Sequence, residues 1–179
     1  VADAGNNHTI PAGTPFVLRG AATDQDATDV LTYTWEQIDD GVSDFSNFGP
    51  EKTNGAIFRS RPPSTNPNRY MPLMSRILSG DLTETEPVET VGNTAWETIT
   101  TVSREMNFAL TVRDINASSI VTPGGYPQTG SDVMRVLVDD TAGPFMVTSQ
   151  NVANEIWEKC STQNITWDVA GTNSGAINI

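Results

Sequence analysis

The chain has 179 residues, 22 of them acidic against 10 lysines and arginines, for a formal net charge of −12. That excess repels a phosphate backbone, which argues against nucleic acid as a partner and favours a hard divalent cation as counter-charge. Hydrophobic residues make up 37%, and no run approaches the roughly 18 apolar residues of a membrane span.

In chain order, the lead-in "GNNHTIPAG" reads as turn-rich and holds the single histidine, His8. Phe16 and Leu18 then share one face of a short strand. The next stretch, "TDQDATDVLTYTW", sets Asp24, Asp26 and Asp29 ahead of a strand. That strand places Leu31, Tyr33 and Trp35 on one face and Thr32, Thr34 and Glu36 on the other, the two-residue period of a half-buried strand. Carboxylates crowded in one short loop repel one another unless a cation sits between them. Calcium takes about six to eight oxygens, many from aspartates and carbonyls. Asp24 and Asp26 can point to one centre, with Asp29 following. Asp114, at the end of the strand "LTVRD", could reach the same pole. The glycine and terminal glutamate of an EF-hand loop are missing. Asp3, Asp132, Asp139 and Asp140 are further strand-end acids whose side chains also suit turns and caps.

Asp39 to Arg104 is too long for an ordinary connection between strands. It contains "FRSRPPSTNPNRYMP", four prolines in fifteen residues, and its aromatics argue for an ordered, extended excursion rather than disorder. Within it, Leu73, Met74, Ile77 and Leu78 have helical spacing, and Ser79-Gly80 ends that turn. Tyr70 and Trp96 are the candidates for an exposed recognition surface, whereas Trp35 and Trp167 sit in alternating strands and read as core.

Further strands follow, with Met106, Phe108, Leu110 and Val112 inward on one and Met134, Val136 and Val138 inward on the next. A boundary is expected between Asp139 and Pro144. Beyond it "NITWDV" sets Ile165, Trp167 and Val169 on one face. The expectation is an all-β sandwich over residues 1–140, with an insertion at about 40–104, followed by a partial second β module over 141–179. Its inner face takes Leu31, Tyr33, Trp35, Phe108, Leu110, Val112, Val136 and Val138.

Catalytic chemistry is poorly supplied. One histidine and no HExxH motif argue against a zinc site in this chain. A serine triad would have to use His8. Acids are abundant, but nothing distinguishes a glycosidase pair, and no glycine-rich phosphate loop occurs. Cys160 stands alone, so no intrachain disulfide is possible. Asn7, Asn116 and Asn164 head Asn-x-Ser/Thr sequons, a short motif that chance readily produces.

The motifs "PAGTPFVLRGAATDQDATDVLTYTWEQID", "FRSRPPS", "NRYMP", "SREMNFALTVRD", "GPFMVTSQN" and "ITWDVAGTN" occur in this order. Together they resemble the non-catalytic region of secreted bacterial reprolysin-like (metzincin) zinc metallopeptidases. The resemblance implies immunoglobulin-like or cadherin-like β-sandwich modules, often calcium-stabilised, on a secreted or surface-attached protein whose protease domain lies elsewhere. It implies the protease domain and neighbouring modules as partners, and a role in spacing, substrate holding or surface engagement. A polysaccharide- or cell-surface-binding adhesion module is the alternative. The family's acidic loop reads roughly Asp-x-Asp-Gly-Asp. Here Asp24-Gln25-Asp26-Ala27-Thr28-Asp29 lacks the glycine and gains a residue. The family's second module also continues past "VAGT", so the resemblance implies a longer parent chain.

Overall fold

The computed structural model describes residues 1–25, 29–88, 95–115 and 128–171. In chain order the elements are β1 (Ala2–Asp3), β2 (His8–Pro11), β3 (Phe16–Arg19), β4 (Ala21–Ala22), β5 (Val30–Gln37), β6 (Asn68–Met71), α1 (Met74–Ser79), β7 (Arg104–Ile115), β8 (Thr129–Asp139), β9 (Met146–Val147) and β10 (Trp167–Asp168). The chain is therefore β-rich, with one short helix among the described residues.

Four strands form the main sheet in the order β2-β8-β7-β5. Strand β2 runs parallel to β8, and the other two pairings are antiparallel. The two-residue period decides which face is buried. On β7, Met106, Phe108, Leu110 and Val112 point inward; on β8, Met134, Val136 and Val138 are buried while Val133, Arg135 and Leu137 face out. The register sets Trp35 opposite Leu110, Phe108 opposite Met134 and Met106 opposite Val136, so the inward sets share one face. Of the expected inner set, Leu31 and Tyr33 are only half-buried and pack at the edge of this core. They lie toward the start of β5, an outer strand of the sheet.

The ribbon β3–β6 and the excursion cover that face. Phe16 of β3 meets Phe58 and Phe108 edge-on, with ring centroids 5.9 and 6.0 Å apart. Gly20 allows the chain to pass close to the sheet: a Cβ there would lie 2.8 Å from Leu110 Cδ2 and 3.2 Å from Trp35 Cζ2. The excursion itself contributes Phe48, Ile57, Phe58, Met71 and Trp96 to the core. Helix α1 forms where the spacing of Leu73, Met74, Ile77 and Leu78 places it. It closes at Gly80, whose φ of 79° lets its N–H donate to Ile77 O while Asp81 N–H donates to Arg76 O.

Two expectations are corrected. His8 lies at the start of β2, paired in register with Val136, and not in a turn. Its strand neighbour is 128 residues away, which local sequence cannot show. Trp167 is exposed rather than core. It belongs to a two-residue strand paired only with β9, and a single ribbon has no second layer to bury it.

Candidate functional site: an acidic pole and a neighbouring cleft

Strand pairing brings the acidic residues together. Strand β4 pairs with β1, and Thr23 N–H extends that pairing by donating to Val1 O at 2.9 Å, which holds Asp24 just past the end of β4. Asp29 immediately precedes β5. Asp114 lies one residue before the end of β7, opposite Leu31. A carboxylate oxygen from each of Asp24, Asp29 and Asp114 lies within 4.8 Å of the others. Asp26, the remaining expected ligand, lies outside the described residues.

The pole has a graded environment. Asp24 is exposed, Asp29 half-buried and Asp114 only 7% exposed. Gln128 fixes Asp114 from both sides: its N–H donates to Asp114 Oδ1 at 2.6 Å, and its carbonyl accepts Asp114 N–H at 3.1 Å. Asp114 has no salt bridge among the described residues, and residues 26–28, 89–94, 116–127 and 172–179 contain no lysine, arginine or histidine. A cavity of about 240 Å³ opens beside Asp24, Asp114 and Gln128. The donors are all hard oxygens, which suits calcium or magnesium and not zinc.

The other expected acids are committed to hydrogen bonds, Asp3 and Asp139 within local turns and Asp132 and Asp140 to residues remote in sequence. Asp3 Oδ1 accepts Gly5 N–H, and Asp139 Oδ1 accepts the N–H and hydroxyl of Thr141. Asp132 accepts Ala4 N–H at 2.8 Å, and that bond, then one from Val133 N–H, lowers its pKa below the usual aspartate value. Asp140 is lowered likewise, first by the Ser103 hydroxyl at 2.6 Å and then by Ser103 N–H.

Of the two expected recognition aromatics, Tyr70 is 42% exposed on β6 and Trp96 is buried. Trp96 therefore offers no recognition surface. It packs against Phe48 at 5.2 Å between ring centroids, and the Arg59 guanidinium covers its ring at 4.2 Å. Both covering residues are distant in sequence, so local reading missed them. Sequence reading also missed a cleft of about 240 Å³ beside Tyr70, walled by β5, β6 and the proline-rich stretch. The signal available was that stretch itself, which pairs with β5 only at Ser64 among the described residues and whose Pro62 lines the cleft.

Two buried ion pairs, also unforeseen, tie the excursion to the sheet. Arg69 meets Glu97 at 3.0 Å and donates to Trp35 O and Arg59 O, both at 2.7 Å, while Leu73 N–H donates to Glu97 Oε2. Arg104 lies 3.5 Å from Asp39 and donates to Lys52 O and Gly55 O. Burial lowers the pKa of both arginines, and their carboxylate partners oppose that shift.

Compared with protein-family models, curated proteins and solved structures, the chain shows no significant match.

Proposed function

We propose that the chain is a non-catalytic, calcium-stabilised accessory module of a secreted metallopeptidase of the reprolysin-like group, acting in spacing, substrate holding or surface engagement. The observation that supports it is the convergence of Asp24 and Asp29 on Asp114, a buried carboxylate with no salt bridge among the described residues. A buried charge is ordinarily paired or bound to metal. The donor set fits calcium, which would be held by these three carboxylates and would supply charge neutralisation, not catalysis. Asp26 is a fourth candidate ligand. In this reading the sheet and its covering layer form an immunoglobulin-like or cadherin-like sandwich over residues 1–140. Residues 141–179 begin a second module, in keeping with the exposed Met146, Val147, Trp157 and Trp167. The protease assignment rests on the ordered motifs, with the parent's catalytic domain and adjacent modules as partners and a secreted or cell-surface location.

Isothermal titration of the metal-stripped chain with calcium tests this reading. The expected result is saturable binding that Asp114→Asn with Asp29→Asn abolishes. Absence of heat in the wild-type chain, or equal binding by the double variant, would overturn it. Zinc-dependent cleavage of casein by the chain, lost in His8→Ala, would contradict the non-catalytic assignment.

A further inference from the structure

We infer that the cleft between β5 and β6 is a binding subsite for a single sugar ring of a glycan. This goes beyond the accessory-module reading and does not depend on the cation.

The cleft combines an apolar wall with unspent polar groups. Tyr70 stands exposed at its lip, and Met74 and Pro62 extend the apolar surface. The indole of Trp35 is locked behind it by donating to Pro67 O at 2.8 Å. Two residues of the wall hold buried polar atoms with no hydrogen-bond partner: the Thr34 hydroxyl and Arg69 Nε. Arg69 is itself nine-tenths buried, and its other nitrogens are committed to Glu97, Trp35 O and Arg59 O. Three of the five guanidinium N–H donors are thus committed, and Nε is the one nitrogen of the three without a partner. Asn68, also lining the cleft, uses its backbone N–H on Asn66 Oδ1.

A pyranose answers these features together. Its C–H face packs on an aromatic ring, and its hydroxyls both accept and donate, as an Arg Nε–H and a threonine hydroxyl require. The cavity has room for one ring and not for a folded chain segment. An extended peptide could instead add to the edge of β5, but that edge is already filled. Tyr33 N–H and C=O pair with Ser64 at 2.8 and 3.0 Å, and Trp35 C=O accepts Arg69. No run of open ladder groups remains there for strand addition.

The test is an amide-shift NMR titration of the intact chain. The probes are glucose, galactose, mannose, xylose, N-acetylglucosamine and galacturonic acid, each as the free sugar and as short oligomers. At least one should move the amides of Tyr33, Thr34, Asn68 and Tyr70 in a saturable way. Tyr70→Ala and Thr34→Val should each weaken that binding by about tenfold or more. Thr34→Val removes only an unpartnered hydroxyl, so its melting temperature should not fall, which separates lost binding from lost folding. The inference is overturned if no sugar moves these amides, if both variants bind as tightly as the wild type, or if the cleft responds to peptides and not to sugars.

Discussion

The excursion and the acidic pole handle buried carboxylates in opposite ways. Glu97 is fully buried, yet it meets a guanidinium at 3.0 Å and a backbone N–H at 2.7 Å. Asp39 lies 3.5 Å from Arg104 and accepts two hydrogen bonds from Asn107. Asp114 is almost as deeply buried and faces two more carboxylates. At about 5 Å each such pair costs about 1–3 kcal/mol for an effective dielectric between about 80 and 20, and the exposure of Asp24 puts its pairs near the low end. The same chain thus pairs buried acid with arginine where it anchors a loop and gathers three carboxylates at one pole, where Asp114 has no salt bridge among the described residues. The proposed cation at the pole would do there what the arginines do in the excursion.

The largest expected effect breaks the internally neutralised side. Glu97→Ala leaves Arg69 buried without its partner and should destabilise the chain by about 3–5 kcal/mol in urea unfolding. A loss below about 1 kcal/mol would mean that the excursion is not held by this pair.

A smaller effect sharpens the other side, because its sign should change with conditions. In chelator, Asp114→Asn relieves repulsion while retaining an oxygen for Gln128 N–H, and should raise stability by about 1 kcal/mol. In calcium the same variant should be less stable than the wild type. The same sign in both conditions would remove the contrast between the two regions.

The smallest effect concerns Asp132 and Asp140, which are satisfied by hydrogen bonds instead of charge. Their pKa values are lowered on folding. Such groups add stability above the ordinary aspartate value and lose it as the pH falls through the lowered folded value. Carboxyl-detected NMR titration should place both below 3.8, and Ser103→Ala should bring Asp140 back toward it.

Much of the sheet was legible because burial on one face imposes a two-residue period: Met106 to Val112 and Met134 to Val138 alternate as written. The end of α1 was legible because Gly80 takes a left-handed φ at low cost. The parallel pairing of His8 was not legible, nor was the burial of Trp96 under Arg59 and Phe48, since both depend on contacts remote in sequence. Trp167 misled for a related reason: alternation marks a face but not whether another layer covers it. At the pole, Asp24 and Asp29 announced themselves by crowding and Asp114 by its strand-end position. The cleft was hidden because Thr34 and Arg69 become notable only through the partners they lack in three dimensions.

The central claim, that the pole binds a cation, is tested most directly by calorimetric melting of the chain in millimolar calcium and in EDTA. An ion that binds only the folded arrangement stabilises by RT ln(1 + [L]/Kd), about 2.7 kcal/mol at about a hundredfold excess over Kd. The account predicts a melting temperature higher in calcium than in EDTA, with most of the difference lost in Asp24→Asn combined with Asp114→Asn. Superimposable melting curves in calcium and EDTA would contradict it and leave the three carboxylates as a cluster that holds no ion.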